Sequence, residues 1–237
     1  MNTQPNAQQK QGSILYGPLL PSLTNYEFPH PDRFLVDGKH PLHAAYRFWF
    51  LKRNTQAFTD KAAYMNNFVQ IGPVETVEDF WGVYSYLKRP SDSASPSYTY
   101  HCFRAEIEPT WEDPHNAHGG RWIVKLKKGA GPKAFENALL AMVGDEFNLG
   151  DELCGVVLSL KKHGDDSIAF WNKNGQSREA ITRLRDAIKR ILGVGSNALE
   201  YKPHDQAIQK HVQTTGGSLD LADDEEQEED ILEEDDQ

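Results

Sequence analysis

The stretch Glu108–Lys127, EPTWEDPHNAHGGRWIVKLK, joins a loop rich in turn-forming residues to a segment with regular alternation. In its second half, mostly basic residues alternate with the apolar residues Trp122, Val124 and Leu126. Such alternation is typical of a β-strand with one buried and one exposed face. Because sheets with an exposed face are usually antiparallel, the stretch predicts an antiparallel sheet within an α+β fold.

The first half of the stretch places Trp111 directly beside Glu112, between residues that break regular structure, such as Pro109 and Pro114. Two interpretations are open. An aromatic face with a carboxylate at its edge suits a flat, cationic ligand that carries N–H donors. Alternatively, Trp111 plugs the end of a hydrophobic core and Glu112 is only solvated.

Outward from this stretch, the hydrophobic pattern predicts helices and strands in mixed order. Strands are predicted at residues 44–52, 98–103, 121–127, 153–160, 167–171 and 199–202. Amphipathic helices are predicted to begin near Thr76, Pro132 and Ser177, and the last two to end at Gly144 and Gly193. Three helices among about seven or eight strands predict a two-layer domain, with the helices on one face of the sheet.

Composition divides the chain into three parts. Residues 219–237 hold 12 of the 35 acidic side chains, and the other 218 residues carry 25 basic and 23 acidic ones, a net charge of +2. We therefore predict a flexible segment over 1–36, a folded domain over 37–212 and a disordered acidic tail over 213–237. Two cysteines and a polar amino terminus predict an intracellular protein, and no apolar run is long enough to span a membrane.

Signatures of catalysis are not found in the sequence. It contains neither a phosphate-cradling glycine loop nor a Gly-x-Ser-x-Gly motif. His115 and His118 have a spacing that could indicate a metal, but Pro114 disfavours a continuous helix and no ligand nearby completes the set, so solvated histidines are expected. We therefore expect a binding protein rather than an enzyme, with no metal or cofactor.

Five motifs in fixed order resemble the eukaryotic mRNA cap-binding family, translation initiation factor 4E and its relatives, across residues 40–210. They are His40-Pro41-Leu42, Thr76–Trp81, Glu108–Asp113, Gly119–Trp122 and Cys154-Gly155. The resemblance implies a curved, largely antiparallel eight-stranded sheet with three long helices on its convex face. It also implies a cytoplasmic, monomeric protein that binds capped mRNA and controls translation.

The resemblance implies a role for four residues around the cap base. Tyr64 and Trp111 match the aromatic pair that sandwiches 7-methylguanine, whose positive charge adds a cation–π attraction. Glu112 matches the carboxylate that accepts hydrogen bonds from N1 and N2 of the base, and Trp171 matches the residue that packs on the added methyl group. Tyr64 remains a candidate core tyrosine, because the alignment between residues 53 and 63 needs a gap.

Four basic residues match the family's positions around the triphosphate of the cap. They are Arg121, Lys161, Lys162 and Lys210. Lys161 stands where relatives have Arg, and a lysine lacks the bidentate fork of a guanidinium, so a weaker contact is expected there. Lys162 is a candidate to compensate for this loss.

A second surface is implied on the convex side. Trp81 matches the exposed tryptophan that binds helices with a Tyr-x-x-x-x-Leu motif in the initiation scaffold or in repressors. The same groove is expected to include His40, Pro41, Val77, Leu139 and Leu140.

Tyrosine at positions 46 and 64 resembles the divergent class that includes the 4E-homologous cap-binding protein, whose members often repress translation. The alternative function is a cap-metabolising enzyme, or a binder of methylated cations, that uses the same aromatic cage.

Overall fold

The computed structural model of the protein describes residues 37–52, 65–87, 98–161 and 164–205. Strands β1 (Pro41–Lys52) and β2 (Phe68–Thr76) precede helix α1 (Val77–Tyr86) and strands β3 (Tyr98–Arg104) and β4 (Gly120–Leu126). Then follow α2 (Gly131–Val143), β5 (Leu153–Ser159), β6 (Asp166–Asn172), α3 (Arg178–Leu192), a 3₁₀ turn (Ser196–Ala198) and β7 (Leu199–Pro203).

The strands of the described residues form one sheet of seven, in the order β2-β1-β3-β5-β6-β4-β7, and every neighbouring pair is antiparallel. The α+β class and the antiparallel pairing are therefore confirmed. Strand β2 was not predicted, because FVQIGPVET contains a glycine and a proline and little alternation. An eighth strand is not confirmed by the part of the chain that the structure describes.

One face of the sheet packs against all three helices. Its strands contribute residues such as Tyr46, Phe48 and Val156, and the helices contribute Phe80, Phe135 and Leu184, all within a single hydrophobic core. The side chains of β1 alternate, with Tyr46 and Phe48 in this core and Trp49 on the opposite face. We call the face away from the helices the site face.

The helices begin and end where local chemistry satisfies their free backbone groups. The hydroxyl of Thr76 accepts a hydrogen bond from the Asp79 amide at 3.1 Å, and that of Ser177 accepts one from the Ala180 amide at 3.2 Å. Gly193 ends α3 in the left-handed conformation, with φ of 67°. Trp122 ties α3 to the sheet, because its Nε1 donates to the carbonyl of Ile181 at 3.0 Å.

The predicted flexible segment 1–36 and acidic tail 213–237 lie outside the described residues. Among the helices that are described, none combines the length and the apolar character that a membrane span requires.

Candidate cap-binding site

A small hydrophobic cluster lies on the site face, separate from the core under the helices. Its buried members are Phe103, Ile107, Trp111, Cys154, Val157 and Trp171. Two of the tryptophans named in the sequence analysis, from a loop and from β6, therefore belong to one cluster. The rings of Phe103 and Trp171 pack edge to face with centroids 5.4 Å apart.

The loop that carries Trp111 is held by two buried polar side chains. The carboxylate of Asp113 accepts hydrogen bonds from the backbone amides of Glu108 and His115, at 2.9 and 2.8 Å. The amide of Asn116 donates to the carbonyls of Glu108 and Thr110, at 2.9 and 2.8 Å. These hydrogen bonds fix the backbone of the loop, so Trp111 is held in place although the loop contains no helix or strand.

Trp111 is only 4% exposed, so the structure packs this ring into the site-face cluster. The guanidinium carbon of Arg121 lies 5.5 Å from the centroid of the Trp111 ring and 5.9 Å from that of Trp171. A cation thus already lies over the two aromatic rings in this structure. Trp111 therefore has a feature of each interpretation. Its ring closes a hydrophobic cluster, and it also lies next to a positive charge.

Glu112 differs from its neighbour, because its side chain is exposed. It makes no hydrogen bond or ion pair with another residue that the structure describes, so its acceptor oxygens remain open to a ligand. Trp171 is 5% exposed, and its Nε1 is buried without a hydrogen-bond partner among the described residues.

His204 is a site residue that the sequence analysis missed. It is 1% exposed, its ring centroid lies 4.4 Å from that of Trp171, and its Nδ1 lies 2.9 Å from the carbonyl oxygen of Asn116. Burial lowers the pKa of His204 to about 4, and the charge of Arg121 acts in the same direction. At neutral pH the imidazole is therefore uncharged, with its proton on Nδ1. The sequence around His204 contains no pattern that indicates a buried histidine packed against Trp171.

Of the expected phosphate-binding residues, the structure describes two. Arg121 lies on β4 beside the tryptophans, whereas Lys161 follows the end of β5 and is half-buried. Tyr64, Lys162 and Lys210 lie outside the described residues, so their predicted roles stay predictions.

The expected partner surface lies on the helix side of the sheet. Val77, Trp81 and Leu140 are 38%, 47% and 38% exposed, which is unusual for large apolar side chains. His40 is fastened to α1, since its backbone amide and Nδ1 lie 2.9 and 2.7 Å from the Glu78 carboxylate. These hydrogen bonds lower the pKa of Glu78 to about 2.

Leu139 does not belong to that surface. It is 0% exposed and packs in the core under the helices, so it supports α2 from beneath while the adjacent Leu140 faces outward. The periodicity of the sequence could not separate these two leucines. Tyr46 is also a core residue at 1% exposure, and its hydroxyl donates to the Met142 carbonyl at 3.1 Å.

Of the two histidines of the loop, His118 is exposed and His115 makes a local contact. His115 Nδ1 lies 2.9 Å from the Asp113 carboxylate, and the described residues contain no group of three or more side chains suited to a metal ion. Neither thiol has the low pKa of a nucleophile, because burial raises the pKa of Cys154 to about 12 and also raises that of Cys102.

Comparison with known proteins agrees with the motifs and the fold. The family model of eukaryotic initiation factor 4E matches residues 41–218. The eukaryotic translation initiation factor NCBP of Triticum aestivum is 38% identical over 178 residues, which cover 75% of each chain. The eukaryotic translation initiation factor 4E-4 of Caenorhabditis elegans is 36% identical over 170 residues, 71% of this chain and 79% of that one.

Solved structures of related proteins have the same fold. The C. elegans eIF4E-3 in complex with the 4E-binding protein Mextli and a cap analog superposes with a TM-score of 0.65 at 25% identity, covering 72% of this chain and 96% of that one. Ascaris suum eIF4E-3 with an m2,2,7G cap gives a TM-score of 0.63 at 26% identity, over 70% and 92% of the chains. The chain belongs to the eukaryotic initiation factor 4E family.

Proposed function

We propose that this protein binds the 7-methylguanosine cap of mRNA on the site face of its sheet. The observation that carries the proposal is the group formed by Trp111, Trp171 and Arg121, with the exposed carboxylate of Glu112 next to it. The group combines flat aromatic surfaces, a positive charge for phosphates and an open acceptor for guanine N–H groups.

In this proposal, the base takes the place that the Arg121 guanidinium holds over the Trp111 ring. Methylation makes guanine a cation, so one cation–π contact replaces another and Arg121 becomes available to the phosphates. Glu112 accepts hydrogen bonds from N1 and N2 of the base, a charge-assisted contact that adenine cannot make. Trp171 packs on the methyl group, and Tyr64 supplies the second aromatic face.

The remaining cations bind the triphosphate. Arg121 contributes from β4 and Lys161 from the end of β5, and we assign Lys162 and Lys210 to the same phosphate chain. The helices cover the convex side of the curved sheet, and the cap lies on the concave side.

The protein acts on translation in the cytoplasm through a second surface that binds a partner helix. Val77, Trp81 and Leu140 offer exposed apolar area next to the fixed His40-Pro41 segment, which suits an amphipathic helix with a Tyr-x-x-x-x-Leu motif. Its partners are the initiation scaffold or repressors of translation. Tyrosine at positions 46 and 64 favours the repressor class.

The cap site is tested by titrating the protein with 7-methyl-GTP and with GTP, using tryptophan fluorescence. A cation–π gain of about 0.5–2 kcal/mol predicts a preference of roughly 2- to 30-fold for the methylated nucleotide. Trp111→Ala removes a stacking face and should cost about 1–3 kcal/mol of binding free energy. Glu112→Gln keeps the shape of the side chain but leaves a guanine donor unpaired, and a similar loss is expected.

Equal affinity for GTP and 7-methyl-GTP would contradict the proposal, as would a Trp111→Ala variant that binds like the parent. Lys133→Gln is a suitable control, because Lys133 is exposed on α2, on the other side of the sheet. Chromatography of the titration mixture detects any hydrolysis of the nucleotide, and such hydrolysis would instead indicate an enzyme.

A further inference from the structure

Helix α3 carries two rows of polar side chains, one on each side of its apolar stripe. In a helix, positions separated by 4, 3 and 4 residues lie along one face. One row consists of Glu179, Arg183, Asp186 and Arg190, and the other of Arg178, Thr182, Arg185 and Lys189. We call the second row the basic flank, because it contains three basic side chains and no acidic one.

The row that contains the two acidic residues is paired within the protein. Arg183 donates a hydrogen bond to the carbonyl of Asn148 at 2.7 Å. Arg190 pairs with the carboxylate of Glu146 at 3.3 Å and donates to the carbonyl of the same residue at 2.7 Å. Both arginines therefore hold the loop between α2 and β5, and this row has no net charge to offer to another ligand.

The basic flank keeps most of its charge. Arg178 is exposed and forms no ion pair with any residue that the structure describes. The ammonium group of Lys189 donates to the hydroxyl of Ser196 at 2.9 Å, and this neutral partner leaves the charge of the lysine in place. Arg185 pairs with Asp186 at 3.0 Å, but both side chains are exposed to water, where such a pair is weak. Three basic groups beside one carboxylate leave a net charge of +2.

The last described residues lie close to the start of the basic flank. The amide of His204 donates to the carbonyl of Gly119 at 3.1 Å, and the amide of Gly175 donates to the carbonyl of His118 at 2.9 Å. Two consecutive residues of one loop therefore hold both the end of β7 and the turn that precedes α3. The described part of the chain ends one residue after His204, and Arg178 follows Gly175 by three residues. The following segment thus begins beside the flank.

The sequence after this point has the length and the charge that the flank requires. Residues 219–237 carry twelve carboxylates and no basic group. The 13 residues 206–218 connect them to the described domain, and a flexible linker of this length spans roughly 20 Å. The flank itself extends about 17 Å from Arg178 to Lys189, at about 1.5 Å per residue. The acidic residues can therefore reach the whole flank, and tethering gives them an effective concentration on the order of millimolar.

We propose that the acidic tail, residues 219–237, docks on the basic flank of α3 in the same chain. Ion pairs between exposed groups hold it there, so the contact is reversible and weakens as salt is added. The flank and the cations of the candidate cap site compete for the same tail. The inference does not depend on cap binding, because it follows from the charges of the helix and from the place where the described residues end.

The test uses the full chain with a spin label in the middle of the tail. Gln227→Cys introduces a thiol there without changing the charge, and Cys102 and Cys154 are buried, so the label attaches to the new thiol. In ¹⁵N-labelled protein at 0.01 M salt, the amide NMR signals of α3 should lose intensity, because the label broadens signals of nearby residues. The signals should recover at 1 M salt, where the Debye length is about 3 Å.

Two double variants of α3, made in the spin-labelled chain, identify the charges that hold the tail. Arg178→Gln with Lys189→Gln removes two of the three charges of the flank, and most of the intensity loss at α3 should disappear. Arg183→Gln with Arg190→Gln removes the same charge from the other row of the same helix, and the loss should persist. A variant with Arg178→Lys and Lys189→Arg keeps the charge of the flank and should behave like the parent.

Four results would overturn the docking. Intensity loss confined to the strands around Arg121 would place the tail on the candidate cap site, and no loss at any described residue would leave the tail in solvent. Equal effects of the two charge-removing variants would indicate attraction to the whole helix side rather than to the flank. Loss that appears only when spin-labelled chains are mixed with ¹⁵N-labelled chains lacking the spin label would assign the tail to a second copy.

Discussion

His204 couples the candidate site to the stability of the fold. Its imidazole is buried against Trp171, and the hydrogen bond from its Nδ1 to the Asn116 carbonyl holds the loop that carries Trp111. A charged imidazole in this position would lose its hydration and be repelled by the charge of Arg121. The neutral form is therefore part of the folded structure.

The pKa of His204 predicts a loss of stability in mild acid. Its folded value of about 4 lies below the usual 6.5, so the unfolded chain takes up the proton first as the pH falls. Stability that is complete above about pH 6.5 is lost progressively toward pH 4, by about 2 kcal/mol between pH 7 and pH 5. Urea denaturation at both pH values measures this change.

The variant His204→Asn isolates this contribution, because the Asn amide can still donate to the Asn116 carbonyl but does not titrate. We expect a smaller difference in unfolding free energy between pH 7 and pH 5 than in the parent. If both proteins lose the same amount, other histidines cause the pH dependence.

Gly155 is required by a close approach across the sheet. A Cβ atom at this position would collide with ring carbons of Phe103, which pairs with Gly155 on the neighbouring strand. Gly155→Ala should therefore destabilise the protein by about 1–3 kcal/mol, because the site-face cluster must rearrange.

Gly82 provides the matched comparison for Gly155. It lies inside α1, and a Cβ there would meet nothing within 4 Å. Gly82→Ala should stabilise the protein by about 0.5–1 kcal/mol through helix propensity. Thermal denaturation of both variants measures the contrast, and shifts of the same sign would contradict it.

Among the elements, α1 has both a buried and an exposed aromatic side chain. Phe80 is 1% exposed and belongs to the core, while Trp81 is 47% exposed and touches the Phe80 ring edge to face at 5.2 Å. Adjacent helix positions point about 100° apart, so one residue can anchor the helix while the next remains available to a partner.

Trp81→Ala should abolish binding of a Tyr-x-x-x-x-Leu peptide and leave affinity for 7-methyl-GTP within about twofold, because α1 packs on the face opposite the site. Peptide and nucleotide titrations by calorimetry measure both affinities. Tyr86→Ala is the control, since Tyr86 is 92% exposed at the end of the same helix. Parallel loss of both ligands together with a lower melting temperature would place Trp81 in the core.

At the level of elements, the sequence predicted those with strong periodicity or clear caps. Helix α3 was predicted from Ser177 to Gly193 and observed over Arg178–Leu192, because cap residues mark both ends. Strand β2 was missed, because Gly72 and Pro73 interrupt its pattern. The local sequence does not favour a strand there, and pairing with β1 stabilises it instead.

The same limit applies to the site. Loop-breaking residues singled out Trp111 and Glu112, and the family resemblance added Arg121; their roles in cap binding stay predictions. The burial of Trp111 and the position of His204 depend on contacts between segments that are distant in the sequence, and no local pattern encodes them.

For the whole molecule, the uneven distribution of charge makes a prediction about residues outside the described ranges. Residues 219–237 carry twelve carboxylates, whereas the rest of the chain has a net charge of +2. A tethered anionic segment competes with phosphate for the cations of the cap site, and salt weakens this competition.

A variant that ends at Gly217 should therefore bind 7-methyl-GTP more tightly than the full chain at 0.01 M salt. The difference should shrink toward 0.15 M, where the Debye length falls from about 30 Å to about 8 Å. Fluorescence titrations at both ionic strengths measure it. Identical affinities of the two proteins at low salt would show that the segment only solubilises the chain.

The two cysteines lie on opposite sides of the sheet, Cys102 in the core under the helices and Cys154 in the site-face cluster. Both are fully buried, so an alkylating reagent can reach either thiol only when its side of the protein opens. The alkylation rates of Cys102 and Cys154 therefore report separately on local opening of the two sides of the sheet, and no label has to be introduced. Bound 7-methyl-GTP should slow the alkylation of Cys154, whereas a partner helix bound on α1 should leave the alkylation rate of Cys154 unchanged.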